Sequence, residues 1–134
     1  MSSAVLADTG PLFAAVDTDD ADHERAQLEL NQLAREKRDV VIPFSTILET
    51  QSLVLRRLGR KSAGDWLDDV LANSKFVNPV AEDYINAATK LAASSDQSIT
   101  LFDAVLAVLS TRLGLQVWTY DHHFDVMRAK VWRR

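Results

Sequence analysis

Four acidic residues stand where this sequence is least polar. Asp8 lies in AVLADTGPLF, Glu49 in IPFSTILETQSLVL and Asp103 in TLFDAVLAVL, and Asp121 follows VWTY directly. Carboxylates are almost never fully buried unless they are paired or bound to something. Each of the four has a structural explanation when taken singly. Thr46-x-x-Glu49 and Thr100-x-x-Asp103 have the spacing of a helix capping box, and Asp8 and Asp121 suit caps or turns. Caps do not require such apolar surroundings, however, and four together favour a shared acidic pocket. A cluster of like charges repels itself unless something neutralises it. With no cysteine and no spaced histidine pair, the hard oxygen donors suit Mg²⁺ or Mn²⁺ rather than zinc. The chemistry that follows is metal-assisted hydrolysis of a phosphodiester, with metal ions activating water and stabilising the leaving oxygen.

The surrounding elements must bring these residues together. Short β-like runs alternate with longer helical patterns, which predicts an α/β fold. The expected strands are Ala4 to Ala7, Val40 to Ile42, Lys75 to Asn78 and Gln116 to Thr119, with Val131-Trp132 as a last edge strand. Helices are expected from about Pro11, from a cap at Asp20 or Asp22 to about Lys37, and from Ser45 or Thr46 to Gly59. Ala63, Trp66, Leu67, Val70 and Leu71 recur at helical spacing, as do Tyr84, Ile85, Ala88, Leu91 and Ala92. The stretch from Leu101 to Leu113 is apolar almost all round, which predicts a central buried helix stopped by Gly114. In this arrangement Asp8 and Asp121 follow strands, and Glu49 and Asp103 occupy first turns of helices. Those positions lie along the carboxyl edge of a parallel sheet, where ligands bind in open α/β folds.

Composition sets outer bounds. The 134 residues suit one domain, 47% hydrophobic residues supply a core, and no repeat or linker interrupts it. The absence of cysteine excludes disulfides and thiol chemistry and suits a cytoplasmic setting. The opening MSSAVLADTGPLFAAV has no basic stretch and is broken by Asp8, so it is a poor signal peptide. No apolar run approaches the roughly 20 residues needed to span a bilayer. The net charge of -4 argues against binding nucleic acid through bulk charge. It leaves room for an enzyme whose metal ions offset the local field.

Ala7-Asp8-Thr9-Gly10-Pro11-Leu12, the Glu49 helix after Ile42-Pro43, Phe102-Asp103-Ala104 and Thr119-Tyr120-Asp121-His122-His123-Phe124 together resemble a PIN-domain ribonuclease. Within that family the pattern is most similar to the VapC toxins of bacterial type II toxin–antitoxin pairs, and it spans essentially residues 1–134. The resemblance implies one PIN-like domain, a three-layer α/β/α fold with a central parallel sheet of four to five strands, and usually a homodimer. It implies Mg²⁺- or Mn²⁺-dependent endonucleolytic cleavage of RNA. Asp8, Glu49, Asp103 and Asp121 match the family's acidic, metal-binding positions, and Thr119 matches a hydroxyl residue two positions before the last acid. Asp125 would be an accessory acid, and a cognate antitoxin would cover the site, often with an arginine in the acidic pocket.

Other residues carry weaker signals. Thr9 would either orient Asp8 or serve as a turn residue. Arg56, Arg57, Arg60 and Lys61 suit a helix end or contact with an RNA backbone, as do Arg128, Lys130, Arg133 and Arg134. Trp66 and Trp118 follow core periodicity, which favours packing over base stacking. His122 and His123 are adjacent, and neighbouring helical residues do not share a face, so ligation by the pair is not expected. Two other functions fit an acidic pocket. A phosphate-accepting receiver domain should carry a lysine after a late strand, where this chain has Thr119-Tyr120-Asp121. A PIN-like binding module without catalysis, or a nuclease of RNA processing, would use the same fold.

Overall fold

The structure is a computed structural model that describes residues 4–134. Four strands form one parallel sheet: β1 (Val5–Ala7), β2 (Val40–Pro43), β3 (Lys75–Val77) and β4 (Gln116–Trp118). They lie in the order β3-β2-β1-β4. Val5 pairs with Val40 on one side and with Gln116 on the other. The central strand, β1, is fully buried on both faces, which is why it is an unbroken apolar run rather than an alternating one. Residues of a strand still point alternately to opposite faces. Val5 and Ala7 join a core with Leu12, Ala26, Leu33, Ile47, Trp66 and Trp118. Leu6 joins a second core with Ala87, Val105, Leu106, Leu109, Val117 and Phe124.

Those two cores define the outer layers. One face of the sheet packs against α1 (Thr9–Val16), α2 (His23–Arg35), α3 (Phe44–Leu58) and α4 (Arg60–Asn73). The other packs against α5 (Ala81–Ala93), α6 (Leu101–Leu113) and the one-turn α7 (His123–Val126). The architecture is three-layer α/β/α around a four-stranded parallel sheet. As its apolar sequence requires, α6 is buried on several sides, and it ends at Gly114 in a left-handed conformation (φ 67°).

The structure corrects three expectations. Val131 makes a single parallel bridge to Val117 rather than a fifth strand; Arg128, with φ at 59°, turns the chain just before it. The third helix starts at Phe44, so Thr46 lies inside it and the Thr46–Glu49 capping box does not form. Asp22 makes no side-chain cap; instead Asp20 Oδ1 accepts from the Asp22 amide at 2.8 Å.

One buried carboxylate ties the first face together. Glu29 on α2 is 4% exposed. Its Oε1 accepts from the Trp118 indole at 3.1 Å and the Tyr120 hydroxyl at 2.5 Å. Arg25 approaches Glu29 Oε2 at 3.5 Å and lies 3.8 Å above the Tyr120 ring. This network holds the chain that leaves β4. Replacing Glu29 by alanine leaves two donors without an acceptor, and each such orphan costs about 1–3 kcal/mol. Glu29→Ala is therefore expected to lose about 2–4 kcal/mol in urea unfolding. Glu29→Gln, which keeps an acceptor oxygen, is expected to lose about 1 kcal/mol or less.

Candidate active site

β1 and β4 are neighbours, but the chain winds from β1 toward β2 and β3 in one direction and places β4 in the other. Crevices in open parallel sheets form at such switch points, outside the carboxyl ends of the strands. Asp8 immediately follows β1 there, and its amide donates to the Trp118 carbonyl at 3.0 Å, continuing the pairing of the two strands. Asp121 follows β4 by three residues. Glu49 enters from the second turn of α3, and Asp103 from the first turn of α6. Asp8, Thr9, Gly10, Glu49, Asp103, Tyr120, Asp121 and His122 line one open cleft of about 380 Å³.

Two threonines set the geometry of the acids. The Thr119 hydroxyl donates to Asp8 Oδ2 at 2.7 Å and accepts from the Asp121 amide at 2.9 Å. It thereby couples the first and last acids of the chain. The Thr9 amide donates to Asp8 Oδ1 at 2.8 Å, and its hydroxyl donates to Glu49 Oε1 at 2.6 Å. Having one proton, given to Glu49, Thr9 Oγ1 accepts from buried Thr50 at 3.0 Å. Asp103 does form a capping box with Thr100, with bonds of 3.0 and 3.2 Å. The structural and functional readings of Asp103 are thus compatible: the cap fixes the side chain that lines the cleft.

The electrostatics are those of a crowded acidic site. Burial pushes the Asp8 carboxyl up to about 7, against the lowering effect of bonds from Thr119 and Thr9, and the charges of Glu49 and Asp103 add to the rise. Glu49 is also raised, first by burial and then by Asp103 and Asp121, with Thr9 opposing. Among the described residues no lysine or arginine lines this cleft. A divalent cation fits it: four carboxylates supply hard oxygen donors, and among the described residues no lysine or arginine in the cleft offsets their charge.

Not every expected residue is brought here. Asp125 is exposed, and its two carboxylate oxygens accept from one Arg133 nitrogen at 2.8 and 3.0 Å, in an adjoining groove rather than in the four-acid cleft. Arg56 and Arg57 lie about 11 Å further along α3 than Glu49, at 1.5 Å per residue. With Arg60 and Lys61 they are exposed, and Lys61 pairs with Asp65 at 2.8 Å. His123, by contrast, is 9% exposed and sits against the acids. Its Nδ1 is 3.1 Å from Asp121 Oδ2 and 3.6 Å from Asp103 Oδ2. Donor atoms of Asp103, Asp121 and His123 all lie within 4.8 Å of one another. His122 stays exposed, yet its ring lies 4.5 Å from that of His123, and donor atoms of Asp96, His122 and His123 also lie within 4.8 Å of one another. It is the distant α5–α6 loop that buries His123, and local spacing carries no trace of that contact.

Comparison with known proteins agrees with this architecture. Comparison with curated protein sequences gives no match. Three solved structures share the fold across nearly the whole chain. VapC20 of Mycobacterium tuberculosis, described as a sarcin-ricin loop cleaving toxin, superposes with a TM-score of 0.85 at 21% identity, covering 98% of this chain and 100% of that one. VapBC2 of Rickettsia felis, bound to a promoter DNA fragment, gives 0.71 at 15% identity over 99% and 98%. FitAcB of Neisseria gonorrhoeae gives 0.69 at 22% identity over 96% of each chain. A family model matches residues 5–130, the span that carries all four acids and all four strands, and so this chain belongs to the PIN domain family.

Proposed function

We propose that this protein is a divalent-metal-dependent endoribonuclease and the toxin of a toxin–antitoxin pair. The observation that carries the reading is the convergence of Asp8, Glu49, Asp103 and Asp121 on one cleft, with Asp8 pushed up to about 7. Membership of the PIN family and the likeness to VapC20, VapBC2 and FitAcB support it. The four carboxylates would hold Mg²⁺ or Mn²⁺. The bound cation would supply Lewis-acid stabilisation of charge developing on the phosphoryl oxygens. Thr119 fixes Asp8 through Oδ2, and Thr9 fixes Glu49 through Oε1, so both carboxylates are oriented before substrate arrives. Burial and the charges of Asp103 and Asp121 raise Glu49, a repulsion that a bound cation would relieve. Exposed Arg56, Arg57, Arg60 and Lys61 would meet RNA phosphates away from the scissile bond.

Attack by water with the ribose 3′-oxygen as leaving group leaves a 5′-phosphate and a 3′-hydroxyl. Attack by the ribose 2′-hydroxyl would leave a 2′,3′-cyclic phosphate instead. Purified protein given RNA with Mn²⁺ is expected to yield 5′-phosphate ends and to stop when EDTA is added. Cyclic-phosphate ends, or cleavage that survives EDTA, would refute the reading.

An acidic cleft with no lysine or arginine of its own suits an antitoxin that inserts one. The chain is also proposed to form a homodimer. Leu48 (67% exposed), Tyr84, Leu101 and Phe102 surround an almost wholly apolar groove of about 250 Å³ beside Glu49 and Asp103. Contiguous exposed apolar surface of this kind supports an interaction site there. A charge there would be desolvated on association. Phe102→Glu is expected to weaken dimerisation by at least about 100-fold, read as a shift to monomer mass by light scattering. An unchanged mass would place the interface elsewhere.

A further inference from the structure

His123 opens α7 and touches acids from three other places in the fold. Its Nδ1 is 3.1 Å from Asp121 Oδ2 and 3.0 Å from Asp121 Oδ1, and its amide donates to Asp121 Oδ1 at 2.9 Å. On the other side of the ring, Nε2 is 2.8 Å from Ser98 Oγ and 3.4 Å from Asp96 Oδ2. Ser98 is itself held by Asp96, whose Oδ1 accepts from the Ser98 amide at 2.9 Å. The ring is therefore gripped between the α5–α6 loop and the cleft.

Hydrogen-bond logic assigns its orientation. An ionised carboxylate only accepts, so the nitrogen facing Asp121 must carry a proton. The Ser98 hydroxyl gives its one proton to Asp96 Oδ1, so toward Nε2 it accepts. Nδ1–H points at Asp121. We propose that His123 is the positioning residue of the metal site: its Nδ1–H, braced by Ser98 and Asp96, fixes the Asp121 carboxylate in the orientation that binds the cation. This rests on reading the four-acid cleft as a metal site. Thr119 anchors the backbone of Asp121, and His123 its carboxylate. Partners of this kind typically change metal affinity 10- to 100-fold when removed.

The test uses Mn²⁺ affinity, measured by titration of free Mn²⁺ in electron paramagnetic resonance, on full-length protein. His123→Ala and His123→Gln are expected to bind about 10- to 100-fold more weakly. Glutamine places its amide where Nε2 stood and leaves the Asp121 carboxylate with the residue-123 backbone amide but no side-chain donor. His123→Asn places an N–H close to the Nδ1 position and is expected to recover affinity to within about threefold of the parent protein. Electron spin echo spectra of the Mn²⁺-loaded parent protein are expected to show no directly bonded nitrogen. Melting temperatures confirm folding, and if the alanine variant fails to fold, the asparagine–glutamine pair decides. Unchanged affinity in all variants overturns the proposal. So does equal weakening of His123→Asn and His123→Gln, which would assign the effect to packing. A directly bonded nitrogen also overturns it, making His123 a ligand. Because none of these readouts uses RNA, absence of nuclease activity would sink the functional reading without touching this one.

Discussion

Asp8→Asn is expected to reduce RNA cleavage by at least about 1000-fold and, in EDTA at pH 8, to make the protein more stable than the parent. The two effects have one cause. Asp8 is 8% exposed and lies near Glu49 and Asp103, so its ionised form is costly to keep in the folded chain. Its folded value of about 7 exceeds the ordinary 3.8. The folded state therefore holds the proton more tightly than the unfolded state. The resulting contribution is fully present below about 3.8 and is lost as the pH rises through about 7. Asparagine removes the charge and keeps the cap, since its oxygen can still accept from the Thr9 amide. The stability gap between variant and parent should thus open between pH 4 and pH 7 and vanish in acid. If Asp8 were only a cap, Asp8→Asn would leave activity unchanged.

Divalent metal is expected to raise the melting temperature of the parent protein, and by more at pH 8 than at pH 5. Ligand present at 100 times its dissociation constant stabilises by about 2.7 kcal/mol. Protons compete for the same carboxylates. Below pH 7 the protonation of Asp8 should weaken Mn²⁺ binding by about tenfold per pH unit, and the raised Glu49 acts in the same direction. Melting curves in EDTA and in Mn²⁺ across pH 5–8 give the comparison. A shift that does not grow with pH, or one that monovalent salt reproduces, would show that the carboxylates are not the ligands.

Much of this was legible from residue order. Period 3.6 in the segments around Ala63 and Tyr84, and the 101–113 segment that is apolar almost all round, specified helices that form as expected. The apolar run ending at Asp8 specified the buried central strand. The four acids were visible because charge within apolar sequence is informative on its own. What was not legible depends on contacts between distant segments. Glu49 fits a capping box by spacing, yet the helix cap lies three residues earlier, at Pro43 rather than Thr46, and the Glu49 carboxylate is bound by Thr9, 40 residues away. His123 looks like half of a surface pair until Ser98 and Asp96 fold over it. Glu29 belongs to an ordinary amphipathic helix, and only Trp118 and Tyr120 make it a buried anchor. Asp125 fits the acidic pattern by proximity in sequence, but Arg133 holds it outside the cleft.

The initial rate of cleavage of a labelled RNA, followed as Mn²⁺ is titrated, tests the central claim most directly. The parent protein should be inactive in EDTA and rise saturably with Mn²⁺, and Asp103→Asn should abolish that rise. Cleavage that ignores EDTA, or an Asp103→Asn protein that cuts as fast as its parent, would contradict the assignment of these acids as a metal-dependent site.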